Sequence, residues 1–159
     1  IYPANSMRIR LFNAMFKNAN SNEILDLAAD YSHRLMAQLD PELFQQLLKH
    51  QNNGDDVVLV SASVDIYLDM ICQILKIDLI CTETEILDGK FTGSYSTPDC
   101  SSDQKRLRIL SKYDLNQYSK IYAYGNSEED LEMLSLADFK YMVGENQLLP
   151  YLEDEKKLA

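Results

Sequence analysis

Three short stretches of this 159-residue chain carry side chains that could hold or move charge. In Val60-Ser61-Ala62-Ser63 a hydroxyl follows an aliphatic run at an expected strand tip, and Ser63 stands where it can cap the next helix. Hydroxyls and free backbone N–H groups at a helix N-terminus attract anions, phosphate above all. In Ser101-Ser102-Asp103-Gln104-Lys105, Ser101 and Gln104 read as a capping box, which puts Lys105 in the first turns of a helix. A cation there opposes the helix dipole, and a nearby anion would remove the conflict. In Tyr124-Gly125-Asn126-Ser127-Glu128-Glu129-Asp130 a glycine leaves a strand tip and oxygen-bearing side chains crowd the following turn. Hard cations such as magnesium take carboxylate and amide oxygens, often from only one or two protein ligands. Each stretch also has a plain structural reading. The serines are good caps, a lysine can be solvated, and Ser127 with Asp130 resembles a capping box.

The elements that must position these residues fall into two textures. From Asn5 to about His50 apolar residues recur at three- and four-residue steps, as in Ile24, Leu27, Ala28, Tyr31 and Leu35, which predicts helices. Ser21 or Asn22 is expected to cap the second helix, and Asp40-Pro41 heads a third that ends at Gly54-Asp55. Beyond it, Val57-Val58-Leu59-Val60 reads as a strand buried on both faces. A helix over 64–74, a strand over 78–81 and a hairpin turning at Asp88-Gly89 follow. A helix over 102–111, a strand over 120–124, a helix over 128–136 and a strand over 139–143 complete the chain. Strands separated by helices imply crossover connections, hence an α/β fold with a doubly wound parallel sheet. Such sheets bind ligands beyond the carboxyl ends of their strands, where the three stretches fall.

Composition removes several function classes. Fifteen basic against 25 acidic residues give a formal net charge of −10, the wrong sign for wrapping nucleic acid or adhering to an anionic membrane. No apolar run reaches the roughly 18 residues of a spanning helix. Cys72, Cys81 and Cys100 have no paired spacing and read as reduced thiols of a cytoplasmic protein. No secretory leader is visible, and the opening Ile-Tyr-Pro-Ala-Asn reads as the interior of a longer polypeptide. His33 and His50 have no Cys or carboxylate at ligand spacing and read as structural. Tyr122 and Tyr124 read as sheet packing, Met133 and Leu134 as core, and Glu153 to Lys157 as a solvated charge run.

The order of serine, lysine and oxygen-rich turn at successive strand tips resembles the haloacid dehalogenase-like (HAD) phosphatases, in the subfamily that includes phosphoserine phosphatase. Val-Leu-Val-Ser-Ala-Ser, ending at Ser63, resembles that family's second motif, and the Asp88-Gly89 hairpin resembles the strand pair after it. Gly125-Asn126-Ser127-Glu128-Glu129-Asp130-Leu131-Glu132-Met133-Leu134 resembles the fourth motif. The resemblance implies a Rossmann-like core over 53–159 and a partial helical cap over 1–52, with Arg8 and Arg10 as charged candidates for substrate choice. It implies a magnesium-dependent phosphomonoester hydrolase acting through an aspartyl-phosphate on a small soluble or lipid-linked phosphoester. By motif match Ser61 and Ala62 would contact the phosphoryl group, Lys105 would pair with phosphate and nucleophile, and Asn126 would stand at the metal-ligand position. Asp130 would support the metal and its waters.

Two positions depart from the family pattern. The first motif, Asp-x-Asp after a hydrophobic strand, is absent from these residues, so the nucleophile and the first core strand are expected upstream of Ile1. Asn126 stands where the family usually has aspartate, and Glu129 where phosphoserine phosphatases often carry asparagine. Two other readings stay open: an inactive phosphate- or partner-binding module on the same scaffold, and an acidic α/β domain whose candidate residues are all caps.

Overall fold

Helical periodicity in the first third and strand–helix alternation after it both carry through to the structure, a computed structural model that describes residues 4–153. The helices of the first third are α1 (Ala4–Phe16), α2 (Ser21–Met36) and α3 (Pro41–Asn53). They are followed by β1 (Val58–Val64), α4 (Asp65–Leu75), β2 (Asp78–Thr82), β3 (Thr84–Leu87) and β4 (Lys90–Tyr95). The last third holds α5 (Asp103–Lys112), β5 (Tyr122–Gly125), α6 (Leu131–Leu134) and β6 (Phe139–Met142), with short 3-10 turns at Leu115–Gln117 and Glu128–Asp130. The α/β class expected from the sequence is thus observed. Among the described residues no helix is long and apolar enough to cross a membrane.

The chain packs as two compact units that interleave along the sequence. One comprises the described residues up to Gln38 together with Leu59–Cys100; the other comprises Leu39–Val58 and the chain from Ser101 onward.

In the first unit α2 lies on α4, and α1 on β4. Leu68, Ile71 and Cys81 are buried together, with Leu35, Met36, Leu59, Tyr67, Leu75 and Leu79 packed around them. The hydroxyl of Ser32, fully buried, donates to Ala28 O and lies 2.9 Å from Tyr67 O, so the α2–α4 contact carries no unpaired polar atom at that point. Phe12 and Phe16 of α1 meet Phe91 and Tyr95 of β4 in an aromatic cluster, with centroids 4.9–6.3 Å apart. β1 pairs with β2, and β3 with β4 in an antiparallel hairpin. Asp88 and Gly89 both take positive φ, 51° and 75°, which is the type I′ turn that the Asp-Gly pair predicts.

In the second unit β5 and β6 form a parallel ladder running from Tyr122↔Phe139 to Gly125↔Met142, joined by the crossover through α6. β5 presents Tyr122 and Tyr124 toward His50 of α3, with ring centroids at 5.1 and 5.7 Å. Its opposite face presents Gly125 to Asp130 and Leu134.

Several expected boundaries move. Asn20, not Ser21 or Asn22, caps α2, because its carboxamide oxygen in extended backbone accepts from both Asn22 N and Glu23 N. Ser21 turns its hydroxyl to Gly89 O instead. Asp40 caps α3 as expected, accepting from Glu42 N and Leu43 N, and Gly54 ends that helix at φ +85°. The helix expected over 128–136 is a 3-10 turn followed by a single α-turn. The strand expected over 120–124 begins at Tyr122, since Asp138 takes up Ile121 N through its carboxylate.

Candidate functional site

The oxygen-rich turn is built on β5. Asp130 folds back so that its Oδ2 accepts from Asn126 N (2.9 Å) and Ser127 N (3.2 Å), and the Ser127–Asp130 capping box forms as its spacing implies. This return is possible only beside a glycine. A Cβ on Gly125 would lie 2.8 Å from Asp130 Cβ, closer than packed atoms tolerate, and in tight contact with Asp130 Oδ2 at 3.3 Å. The Asn126 side chain is exposed and makes no hydrogen bond to the described residues, so its carboxamide oxygen is open to a ligand.

Lys105 is where the sequence leaves two readings open, and the structure chooses between them. It is the third residue of α5 and is buried, with its ammonium bonded to Asp130 Oδ1. The anion that answers the helix-dipole conflict is therefore a carboxylate of the protein itself. Burial alone would push the Asp130 carboxyl up. The Lys105 hydrogen bond, the Asn126 N–H, the Lys105 charge and the Ser127 N–H outweigh it, and the net result lies below the usual carboxylate range. The capping box expected from Ser101 and Gln104 does not form. Ser102 occupies the cap without a side-chain bond and takes φ 47°, ψ −123°, a conformation that favours glycine.

Ser61 and Ala62 lie in the other unit. Ser61 is not at the end of its strand: β1 continues to Val64, which holds the cap position of α4 in extended backbone with no side-chain bond. Ser63 therefore does not cap. Its N–H donates to Ser61 Oγ at 3.1 Å, a local bond within β1. The position of Ala62 is pinned by Thr82, fully buried, whose hydroxyl donates to Ala62 O (2.9 Å) and accepts from Cys100 N (2.9 Å). Arg8 reaches Asp99, the neighbour of Cys100, at 3.2 Å, while Asp99 Oδ2 is buried with no hydrogen-bond partner. Arg10 is exposed.

The structure thus joins Lys105 to Asp130 and to the backbone of Asn126 and Ser127. Among the described residues it forms no group of three His, Cys, Asp or Glu placed to hold a metal ion. Both Asp130 oxygens already accept N–H bonds, so a hard cation would find Asn126 as its free oxygen and Asp130 as the support behind it.

One cluster was missed by sequence reasoning. His50, buried in α3, places Nδ1 2.6 Å from Asp55 Oδ2 and Nε2 2.8 Å from Tyr124 Oη. Gln46 donates to the same phenol oxygen at 3.0 Å and to Pro150 O at 2.7 Å. Asp55 can only accept and Gln46 Nε2 can only donate, so neutral His50 carries its proton on Nδ1 and accepts the phenol O–H at Nε2. Burial raises the Tyr124 phenol above its ordinary value, against a lowering by the Gln46 bond, which keeps it the donor that this chain of bonds needs. His50 and Tyr124 are 74 residues apart, and only the alternation of tyrosines with Ala123 and Gly125 hinted at a face needing a partner.

Comparison with known proteins adds an independent line. A family model for haloacid dehalogenase-like hydrolases matches residues 3–135. The chain is 27% identical over 122 residues to a histidinol-phosphatase of Neisseria meningitidis serogroup C (strain 8013), covering 68% of this chain and 54% of that protein. It thus spans about half the length of that relative. A protein of unknown function from Bordetella pertussis Tohama I superposes with a TM-score of 0.73 at 19% identity, covering 87% of this chain and 65% of that one. A probable phosphoserine phosphatase from Vibrio cholerae superposes with a TM-score of 0.65 at 22% identity, covering 89% and 42%.

Proposed function

Because the chain belongs to the haloacid dehalogenase-like hydrolase family, we propose that it serves a magnesium-dependent phosphomonoester hydrolase working through an aspartyl-phosphate intermediate. The observation that carries this reading is the buried Lys105 ammonium at the head of α5, locked to the turn that leaves the carboxyl end of β5. A desolvated cation beside an oxygen-rich turn is suited to the charge of a transferring phosphoryl group.

In this reading Ser61 and Ala62 bind the phosphoryl oxygens, Lys105 neutralises them, Asn126 offers a ligand oxygen and Asp130 holds Lys105 and the turn in place. Bound magnesium would supply further charge for the same oxygens. The nucleophilic aspartate lies, in this proposal, in polypeptide beyond these 159 residues. Its carboxylate oxygen forms a bond to phosphorus as the ester oxygen departs with a proton from a second carboxyl group. Water then attacks phosphorus, releasing inorganic phosphate and restoring the carboxylate.

The substrate is a small soluble or lipid-linked phosphoester, with 1–52 assigned to a cap that selects it and 53–159 to the core. This functional division differs from the packing units. Cys72, Cys81 and Cys100, all buried and outside any disulfide, suit the reducing cytoplasm assigned here. The lack of an Asp-x-Asp pair after any strand of this sequence favours a second reading, a phosphate-binding module without turnover.

Thermal unfolding with magnesium chloride and with inorganic phosphate tests both. A ligand at 100 times its Kd adds about 2.7 kcal/mol, or about 5–11 °C for a chain of this size. Ser61→Ala and Lys105→Ala should each remove the phosphate shift, and Asn126→Ala the magnesium shift. No shift from either ligand ends the proposal. Release of p-nitrophenol from p-nitrophenyl phosphate by a longer form carrying the aspartate separates the hydrolase from the binding module.

A further inference from the structure

The strand that carries the oxygen-rich turn is gripped on both faces, and only one grip belongs to the site described above. On the Gly125 face Asp130 and Leu134 close in where a Cβ would be. On the other, the Tyr124 phenol is held in a line of bonds running from Pro150 O through Gln46, Tyr124 and His50 to Asp55. The heavy-atom separations along that line are 2.6–3.0 Å, each within ordinary hydrogen-bond range. Gln46 and His50 are both buried and lie one turn apart on α3, so they present two polar groups to a single phenol. A buried polar network is retained at a cost unless every member is satisfied, and here each member is.

We propose that Tyr124 is a positioning residue for the Asn126–Asp130 turn, with its hydroxyl clamped to α3 by Gln46 and by the His50–Asp55 pair. Tyr124 ends two residues before Asn126, and β5 is only four residues long, so a phenol fixed in two directions fixes the strand's carboxyl end. Val143 N bonds Gly125 O and Met142 pairs with Gly125, which holds the backbone within the sheet plane; the phenol holds it across that plane. The turn's role in binding metal and phosphate rests on the phosphatase reading, but its positioning does not.

The test is amide hydrogen exchange on the intact chain. The N–H groups of Asn126 and Ser127, both bonded to Asp130 Oδ2, report the turn, and those of Ser21 and Phe91 in the other unit serve as the internal reference. Tyr124→Phe keeps the ring and removes only the hydroxyl. His50→Phe keeps a ring against Tyr122 and Tyr124 and removes both nitrogens. Each should speed exchange at Asn126 and Ser127 roughly 2- to 13-fold relative to the reference amides, the factor for one net hydrogen bond. Gln46→Leu should act in the same direction, and magnesium chloride titrated against the Asn126 amide signal should show weaker binding in all three variants. Exchange that rises equally at all four amides, or at none, overturns the proposal. Faster exchange confined to the turn with no magnesium response in the unsubstituted chain would leave the positioning role standing and sink the phosphatase reading.

Discussion

Replacing Lys105 by Met, Asp130 by Asn, and both together measures the interaction on which the site is built. Both partners are buried, with side-chain exposures of 7% and 5%. Removing one member of such a pair leaves a desolvated charge and costs about 3–5 kcal/mol. Lys105→Met should fall at the lower end, about 3 kcal/mol, because Asp130 keeps the Asn126 and Ser127 N–H groups. At about 2–4 °C per kcal/mol, the midpoint should drop by about 6–12 °C. Asp130→Asn should cost more, since it turns an amide N–H₂ toward the Lys105 ammonium. The double substitution removes both charges and should recover part of the loss, giving a coupling of about 2–3 kcal/mol. Urea unfolding followed by far-UV circular dichroism on the four proteins reads it out. Because the pair is shielded from solvent, the coupling should survive high salt. Single effects that add within about 0.5 kcal/mol would show that Lys105 and Asp130 do not act as a pair.

Acid should unpick the same contact. The Asp130 carboxyl is depressed below its unfolded value near 3.8, so its stabilisation is complete above that value and lost as pH falls through the folded one; Asp130→Asn should flatten this acid limb in a pH series of unfolding midpoints. Gly125→Ala drives a Cβ to 2.8 Å from Asp130 Cβ, and should lower stability by about 1–3 kcal/mol in urea unfolding while Gly89→Ala leaves the exchange of Asn126 and Ser127 unchanged. Ser102→Gly relieves a positive φ at the head of α5 and should raise stability by about 1 kcal/mol, seen as a higher thermal midpoint. Thr82→Val keeps the volume but removes the hydroxyl that bridges Ala62 O and Cys100 N, and should cost about 1–3 kcal/mol, measured in the same way.

Elements were legible wherever a local rule decides them. Asp40-Pro41 marked a helix start, Gly54 a helix end and Asp88-Gly89 a hairpin, since each acts through its own φ and its near neighbours. The cap at Asn20 was misplaced because the competing partner is distant: Ser21 is drawn to Gly89 O, 68 residues away. The site showed the same division. The Ser127–Asp130 box could be read from spacing alone. The fate of Lys105 could not, because two opposite outcomes, solvation or a buried partner, satisfy the same dipole, and only packing selects Asp130. His50 and Tyr124 read as ordinary packing for a similar reason, since a polar chain between them requires a fold that brings α3 against β5.

The interleaving of the two units has a consequence for how the chain comes off the ribosome. It crosses between them at Gln38/Leu39, Val58/Leu59 and Cys100/Ser101, so α3 is made early and waits for its strand. Tyr124 follows His50 by 74 residues, a delay of about 4–15 s at ordinary elongation speeds. During that interval the first unit can finish while Gln46 and His50 face water without their phenol.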